Sequence, residues 1–406
     1  MSTLRSRASY AAIGAVWIAA AFAGAAAGLI ETFGPAPLGD KLEYSKTVVD
    51  RDGDLLRGYL TKQGRWRLPA TRGDVDPRFV DALLAYEDKR FFDHHGVDPR
   101  AMMRAAYQFG TEGHIISGGS TLSMQVARLL EPRRKRSLYA KFRQAVRGLQ
   151  LEAALDKEQI LSLYLSLAPY GGNLEGIRAA SLAYFGKEPR RLTLGETALL
   201  VALPQSPEYR RPDRHPERAH AARNRVLDRI TGSGLCSPAE IARAKLEPVP
   251  TTRRPMPLSA PHAADEARAV AQSGSIIRLT IDGHLQRRLE RLARERAGQH
   301  GEAMSAAIVV VEHETGEILA RVASPDYFDE ARAGQVDLTR ALRSPGSALK
   351  PFIYGLGFED GLVHPETLIE DRPIRYGDYA PENFDLTFQG TVTVRKALQL
   401  SLNVPA

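Results

Sequence analysis

The sequence is poor in cysteine, in repeats and in segments of biased composition. Its 406 residues include a single cysteine, Cys236, which excludes an internal disulfide and a metal site built from several thiolates. We interpret this lone side chain as incidental rather than as a nucleophile. No internal repeat is visible, and the only biased segment is a proline-rich stretch from Pro248 to Pro261. The hydrophobic content of 43% is ordinary for a globular protein, and the length allows two or three domains.

Positive charge is concentrated in one segment of the chain. The net charge is +7, and the 20 residues from Arg128 to Arg147 contain eight basic residues and one acidic residue, Glu131. Such a local excess indicates an anionic partner, for which nucleic acid, anionic lipid and pyrophosphate are the candidates. The plainer alternative is a solvated basic face.

An uncharged run from Ala8 to Ile30 follows two basic residues, Arg5 and Arg7. Its length is enough to cross a bilayer of roughly 30 Å, and the basic residues in front of it predict a cytoplasmic N-terminus with the rest of the chain outside. A cleaved signal peptide is the alternative, because small residues between Ala25 and Gly28 would suit a signal peptidase.

The pattern after residue 40 predicts a hairpin and then a helical domain. Residues 47–56 read as two strands around an Asp-Gly turn. From Asp76 to about Ile230 the pattern is almost wholly helical, with capping boxes at Asp156 and Thr193 and a helix end at Pro204.

A second domain of mixed type follows the proline-rich stretch, which we interpret as a semi-rigid linker. Residues 276–281 predict a strand, residues 285–297 a helix, and residues 306–311 and 317–323 two further strands. The predicted boundaries are 1–34 for the N-terminus and membrane segment, 40–235 for the helical domain, 236–275 for a helix and linker, and 276–406 for the α/β domain.

Two adjacent carboxylates, Glu87 and Asp88, stand at the end of a predicted helix that begins after Asp76. The negative end of the helix dipole raises the proton affinity of a carboxylate placed there, whereas Lys89 and Arg90 lower it. That balance suits a general base. The alternative, which spacing alone favours, is a solvated helix end with no function.

Residues 87–96, EDKRFFDHHG, resemble the first motif of the family 51 peptidoglycan glycosyltransferases, E-D-x-x-F-x-x-H-x-G. Residues 118–125, 157–165 and 176–187 resemble three further motifs of that family in the same order. Residues 347–350 (SALK) and 401–403 (SLN) resemble motifs of the penicillin-binding transpeptidases. As a whole the chain resembles a class A penicillin-binding protein of the 1C type.

The resemblance implies a mainly α, lysozyme-like glycosyltransferase domain, a linker, and an incomplete α/β domain related to β-lactamases and transpeptidases. It also implies polymerisation of lipid II into β-1,4 glycan with inversion and release of undecaprenyl pyrophosphate. The implied partners are lipid II, the growing glycan strand, the bacterial inner membrane and other cell-wall synthesis proteins, with no nucleic acid. A single-pass anchor would place the catalytic domains on the periplasmic side.

Glu87 is the general base that the resemblance implies, and Asp88 would position the substrate or a divalent cation. Mg²⁺ suits hard oxygen ligands and a pyrophosphate, and no organic cofactor is implied. The other positions that match the family's substrate-binding residues are His94, Ser120, Thr121, Gln125, Arg128, Lys141, Gln144 and Lys157.

The sequence departs from the family where many members have R-K-x-x-E. Here residues 140–144 are AKFRQ, so Lys141 keeps the pyrophosphate cation whereas Gln144 replaces the second carboxylate. Glutamine forms hydrogen bonds but does not ionise, which leaves Glu87 as the clear base. Glu152 is a nearby substitute, and Ser166, where the family often has Asn, is a smaller departure.

Ser347 and Lys350 are spaced so that they share one face of a helix, which lets the amine activate the hydroxyl. Pro351 requires that helix to begin near Ser347. Ser401 and Asn403 would bind substrate and relay a proton. The family's K-T-G motif lies beyond Ala406, so we expect this domain to be incomplete and to form little stable acyl-enzyme with penicillin.

Two other functions compete with polymerisation. A lytic, lysozyme-like hydrolase would also use an acidic residue in a helical fold, but it would need a second carboxylate and would not explain the basic segment. A non-catalytic scaffold for cell-wall synthesis is the third hypothesis, which Gln144 favours slightly.

Overall fold

The computed structural model describes residue 28 and residues 33–40, 42–112, 119–131, 137–271 and 274–406. The chain forms two compact units, Met1–Thr339 and Arg340–Ala406. None of the helices in these described ranges combines the length and apolar character that a bilayer crossing requires. The predicted membrane segment lies outside the described residues except for Gly28.

The predicted hairpin is confirmed. Strand β1 (Thr47–Val49) pairs antiparallel with β2 (Leu55–Gly58), with Val48 opposite Arg57. In the turn, the Asp50 carboxylate accepts hydrogen bonds from the backbone N–H groups of residues 52 and 54. Strand β6 (Ile276–Arg278) adds to the other side of β1 in parallel, so one three-stranded sheet joins segments far apart in the sequence.

Helices dominate the first unit. In chain order they are α1 (Pro77–Glu87), α2 (Pro99–Glu112), α3 (Leu122–Leu130), α4 (Leu138–Ala154), α5 (Lys157–Leu167), α6 (Ile177–Phe185), α7 (Leu194–Ala202), α8 (Pro216–Ile230), α9 (Pro238–Leu246), α10 (Pro261–Val270) and α11 (Gly283–Gln299). Short 3₁₀ turns occupy Arg72–Asp74, Leu203–Gln205 and Thr231–Ser233.

Side-chain caps fix where several of these helices begin. Asp76 accepts from the backbone N–H of Arg78 at the start of α1. The capping boxes predicted at Asp156 and Thr193 are confirmed, each with its partner three residues later. These caps satisfy orphan backbone N–H groups and so favour one starting residue over its neighbours.

The almost wholly helical stretch predicted from Asp76 to Ile230 is confirmed, with one interruption that the pattern did not predict. Strands β4 (Pro169–Gly171) and β5 (Leu174–Glu175) follow α5, and β3 (Trp66–Arg67) completes a three-stranded sheet in the order β3-β5-β4. Strands of two or three residues are too short to show a period of two, which explains why the pattern missed them.

One large apolar core holds the helices of the first unit together. It contains fully buried side chains from α1, α3, α5, α7 and α8, including Phe79, Leu122, Ile160, Leu199 and Val226. The aromatic and aliphatic face of α1 is part of this core, and consequently the C-terminal end of α1 has a fixed position.

The proline-rich segment packs against the helical domain. The backbone N–H of Arg254 donates to Ala183 O at 2.7 Å, and the guanidinium of Arg253 donates to Gly171 O at 2.8 Å. Arg253 also lies 3.3 Å from the carboxylate of Asp213. After this segment, α11 packs on the hairpin of β7 (Ile308–Val311) and β8 (Ile318–Val322), where a strand pair was predicted.

The second unit is small and mixed. A 3₁₀ turn, Gly346–Leu349, runs into α12 (Lys350–Glu359), and β9 (Leu368–Asp371) pairs antiparallel with β10 (Gly390–Thr393) before α13 (Val394–Gln399). Its core consists of Tyr354, Val392, Val394, Ala397 and Leu402.

Candidate active site

Glu87 is the last residue of α1, and its half-buried carboxylate lies between two glutamine amides. Gln125 on α3 donates from Nε2 to Oε2 of Glu87 at 2.9 Å. Gln205, in the 3₁₀ turn after α7, donates from Nε2 to the other oxygen, Oε1, at 2.7 Å. The carboxylate is thus held from two sides by neutral donors.

Asp88 is buried and shares neither of these partners; the surroundings of Glu87 between Gln125 and Gln205 are here termed the cleft. Its carboxylate accepts from the backbone N–H of Leu122 at 2.8 Å and lies 3.0 Å from Nε2 of His94, which is also buried. Asp88 therefore joins the first motif to the start of α3. Both of its oxygens are engaged, and the described residues include no group of three or more His, Cys, Asp or Glu side chains able to hold a metal ion. The side chain in this conformation does not fit a Mg²⁺ ligand.

Helix α3 begins at a threonine cap. The hydroxyl of Thr121 accepts from the backbone N–H of Met124 and donates to the carbonyl oxygen of Gly96 at 2.5 Å. Thr121 is buried, so its contacts with the protein are structural ones. One turn further along, Gln125 and Arg128 share a face of α3 because they are three residues apart.

Two cations lie near each other on α3 and α4. Lys141 on α4 donates from its ammonium to the hydroxyl of Ser120. Partial desolvation and then the nearby guanidinium of Arg128 lower the pKa of Lys141. Arg128 is exposed and forms no ion pair with any described side chain. The four basic residues 133–136 lie outside the described residues. The described part of the basic segment therefore offers two cations and a hydroxyl to an anion.

Gln144 and Glu152 both lie on α4 but in different surroundings. Gln144 is half-buried, one turn after Lys141. Glu152 is buried, and its Oε1 accepts from the ammonium of Lys157 at 2.6 Å and from the hydroxyl of Ser123. Because Glu152 is already paired inside the protein, it does not take the place of a second carboxylate in the cleft.

Lys157 and His94 belong to the same buried network. Lys157 Nζ also donates to the carbonyl oxygen of His94 at 2.6 Å, and Nδ1 of His94 lies 3.8 Å from Oε1 of Glu152. The network connects the first, second and third motifs of the sequence through side chains rather than through the cleft.

The buried residues Tyr164 and Ser166 occupy the same helix, α5. The hydroxyl of Tyr164 has no hydrogen-bond partner among the described residues, and burial followed by the charge of Glu87 raises its pKa well above 10.0. Ser166 exchanges hydrogen bonds with both the N–H and the carbonyl of Ala70. Ser166, which stands where the family often has Asn, therefore hydrogen-bonds the backbone of Ala70.

Gln205 and Arg210 were missed by the sequence analysis. Arg210 donates to Oε1 of Gln205 at 3.0 Å and to the carbonyl oxygen of Ala202 at 2.6 Å. The only local signal is the pair of prolines at 204 and 207, which marks a fixed turn but not its neighbour Glu87, 118 positions away.

A cavity of about 810 Å³ lies elsewhere in the first unit, between the turn at Thr71, the start of α5 and strand β6. Neither Glu87 nor Arg128 lines it. The candidate site is accordingly defined by the side chains around Glu87 and not by the size of a cavity.

In the second unit, Lys350 meets both residues of the later motif. Its buried ammonium donates to Oδ1 of Asn403 at 2.6 Å and to the hydroxyl of Ser401 at 3.3 Å. Desolvation lowers the pKa of Lys350, which favours the neutral amine. Ser347 is exposed in the 3₁₀ turn before α12, where the prediction from Pro351 placed it.

Two different family models match the two parts of the chain that carry these side chains. A transglycosylase family model matches residues 52–231, and a penicillin-binding protein transpeptidase domain model matches residues 306–406. The chain is 46% identical over 372 residues to penicillin-binding protein 1C of Escherichia coli (strain K12), covering 92% of this chain and 48% of the relative.

Two further relatives are more distant. Penicillin-binding protein 1F of Bacillus subtilis (strain 168) is 29% identical over 382 residues, covering 90% of this chain and 52% of the relative. Penicillin-binding protein 1A of Aquifex aeolicus (strain VF5) is 28% identical over 460 residues, covering 88% and 62%. The chain thus spans about half the length of the first two relatives.

Proposed function

The chain belongs to the class A penicillin-binding proteins, and from this premise we propose that its first unit polymerises lipid II into glycan strands. In this reaction the sugar 4-hydroxyl of one lipid-linked unit attacks the anomeric carbon of another. The bond from that carbon to the pyrophosphate oxygen breaks, the configuration inverts, and undecaprenyl pyrophosphate leaves.

Glu87 accepts the proton of the attacking hydroxyl. Its carboxylate is half-buried and oriented by two amides, which leaves lone pairs on each oxygen for the incoming hydroxyl. A positioned general base typically contributes roughly 10²–10⁴-fold to such a step. This arrangement of Glu87 is the observation that carries the proposal.

Arg128 and Lys141 stabilise the departing pyrophosphate. Arg128 lies in the last turn of α3 and shares a helix face with Gln125, which touches the base, whereas Lys141 lies on the neighbouring helix α4. Cations fixed where negative charge develops lower the barrier more than they favour the bound substrate. We derive no step through a metal ion, because the Asp88 carboxylate is buried and both of its oxygens already contact His94.

A hydrolase is the weaker alternative. Hydrolysis of a glycosidic bond normally needs a second carboxylate in the cleft. The two candidates, Asp88 and Glu152, have buried side chains that are hydrogen-bonded within the protein. The basic cluster also suits a pyrophosphate, which a hydrolase would not meet.

The second unit supplies residues for acyl transfer to a peptide. We assign the nucleophile to Ser347 and proton transfer to Lys350, whose ammonium is held by Ser401 and Asn403. We further propose that the run from Ala8 to Ile30 anchors the protein in the inner membrane with both units outside.

The test is incubation of the purified protein with lipid-linked disaccharide, followed by sizing of the product. Wild type should make long strands. Glu87→Gln, which removes the base with little change in volume, should make none while retaining the wild-type circular dichroism spectrum. Glu217→Gln, an exposed carboxylate on α8, is the matched control and should polymerise normally. Shortened strands would instead indicate a hydrolase, and no product from wild type would indicate a scaffold.

A further inference from the structure

The side chain opposite Gln125 in the cleft has a role that the sequence motifs do not assign. We propose that Gln205 is a positioning residue for the base Glu87, and that Arg210 fixes the orientation of Gln205. The inference rests on the proposed function, because it concerns the base of that reaction.

The backbone of Gln205 is held in place. Gln205 ends the 3₁₀ turn that continues α7, and the two residues before it, Leu203 and Pro204, are buried. The proline ring restricts φ, and the N–H of Ser206 donates to Leu203 O at 3.1 Å, which closes the turn. The side chain of Gln205 therefore starts from a fixed point at the rim of the cleft.

Donor and acceptor chemistry settles which way the Gln205 amide points. A guanidinium has donors only, so the atom of Gln205 that faces Arg210 at 3.0 Å must be the carbonyl oxygen. The amide nitrogen is then directed at Glu87, and an ionised carboxylate has acceptors only. The chain of contacts from Arg210 through Gln205 to Glu87 has one consistent orientation.

Arg210 is itself anchored by the scaffold. Its guanidinium donates to the carbonyl oxygen of Ala202 at 2.6 Å, at the C-terminal end of α7. It forms no direct ion pair with Glu87 within the described residues. The amide of Gln205 lies between Arg210 and Glu87. Arg210 can therefore orient the Glu87 carboxylate through Gln205 without contacting it directly. A direct ion pair would hold the carboxylate more tightly and make it a weaker proton acceptor.

The two amides act on different oxygens from different walls. Gln125 on α3 holds Oε2, and Gln205 holds Oε1, so rotation of the Glu87 carboxylate is restrained at both ends. Gln125 also shares a helix face with Arg128, whereas the side chain of Gln205 hydrogen-bonds Glu87 and Arg210. Loss of Gln205 should therefore affect the chemical step more than substrate binding. A misplaced reacting group is known to cost up to roughly 10²-fold in rate.

The experiment measures kcat and KM for lipid II polymerisation in the full chain. Gln205→Met removes both polar atoms and keeps the length of the side chain, and it should lower kcat about tenfold with KM changed less than about twofold. Gln205→Ala is the second variant. Arg210→Met should lower kcat in the same way, and Arg210→Lys should recover part of the loss because it still donates to the amide oxygen.

A double variant separates a positioning role from a merely structural one. If Arg210 acts through Gln205, then Arg210→Met in the Gln205→Met background should lower kcat no further. If the double variant instead lowered kcat by the product of the two separate effects, Arg210 would act independently of Gln205, which would contradict the proposal. Arg218→Met, which removes an exposed cation that lies over Tyr209, is the matched control and should leave kcat unchanged.

The outcomes distinguish this inference from the proposed function. An active wild type with normal kcat in both Gln205 variants would overturn the positioning role alone. A raised KM with unchanged kcat would overturn it too, because Gln205 would then be a substrate-binding residue. An inactive wild type would overturn the proposed function and this inference with it.

Discussion

Lys157 donates a hydrogen bond of 2.6 Å to Glu152, and the two side chains are only 19% and 5% exposed. The pair lies between α4 and α5. Glu152 also accepts a hydrogen bond from the hydroxyl of Ser123, and Lys157 also donates to the carbonyl oxygen of His94. Removing one partner of a buried pair leaves an uncompensated charge. We expect Lys157→Met to lower the free energy of unfolding by about 3 kcal/mol in urea denaturation followed by circular dichroism.

Two comparisons test that reading of the pair. Adding Glu152→Met to Lys157→Met should restore more than half of the lost stability, because no buried charge is then left alone. The pair of Arg72 and Glu158 is about half exposed at each side chain, so Arg72→Met should cost less than about 1 kcal/mol. A similar loss in both single variants would mean that burial of the Lys157 pair has no special cost.

The backbone of Gly96 lies so close to Gly148 on α4 that there is no room for a Cβ atom. Gly96 has φ +89°, and a Cβ there would lie 2.5 Å from the carbonyl oxygen of Gly148. We expect Gly96→Ala to lower the free energy of unfolding by about 3 kcal/mol, from left-handed strain and from displacement of α4. Polymerisation should fall too, because the Gly96 carbonyl accepts from Thr121 at the cap of α3.

Gly64 is the matched control for that substitution. Its φ is +72°, but a Cβ there would meet nothing within 4 Å. Gly64→Ala should therefore cost only the backbone strain, about 1 kcal/mol, in the same denaturation experiment. Equal costs at the two glycines would show that the contact with Gly148 is easily relieved.

Local signals in the sequence were sufficient for much of the fold. The Asp-Gly turn predicted the hairpin, and Asp76, Asp156 and Thr193 predicted helix starts that the structure has. These signals work because a turn or a cap depends on residues within three or four positions of one another. The resemblance then named Glu87 at the end of α1 and Gln125 and Arg128 on α3, and Gln125 hydrogen-bonds Glu87.

Contacts between distant segments could not be predicted from the sequence. Strand β6 pairs with β1, with Ile276 opposite Thr47, and nothing local to either strand specifies the other. The bond from Gln205 to Glu87 likewise spans 118 positions. The identity of Glu152 as a buried, paired carboxylate also depends on packing, because α4 ends and α5 begins between it and Lys157.

Removing residues 1–30 tests the proposed anchor. Polymerisation of lipid II in vesicles should fall more than polymerisation of lipid II in detergent, because an anchor raises the local concentration of enzyme at the bilayer. Replacing the segment with an unrelated single-pass anchor is the control, and it should restore activity in vesicles. Equal loss in vesicles and detergent would indicate that the segment supports the catalytic domain instead.

The contact of Asp213 with Arg253 of the proline-rich segment makes the stability of the fold depend on pH in a predictable direction. Burial alone would raise the pKa of this carboxyl group, but Arg211 and Arg253 outweigh burial and hold the pKa below the ordinary 3.8. A group with a depressed pKa in the folded state contributes stability that is complete above its unfolded pKa and is lost as the pH falls through the folded value. Wild type should therefore lose this contribution only below about pH 4.

Asp213→Asn measures that contribution directly. At pH 7 the variant should be less stable than wild type by roughly 2 kcal/mol in urea denaturation, because two hydrogen bonds from Arg211 and the ion pair with Arg253 lose their charged acceptor. The difference should stay nearly constant from pH 7 to pH 5 and shrink as the pH falls below about 4, since wild-type Asp213 then begins to bind a proton. Asp228→Asn, which alters an ion pair whose carboxylate is 60% exposed, is the control and should change stability little at any pH. A gap between Asp213→Asn and wild type that stays constant from pH 7 to the lowest pH at which wild type is folded would show that the amide is tolerated poorly for its shape and not for its missing charge.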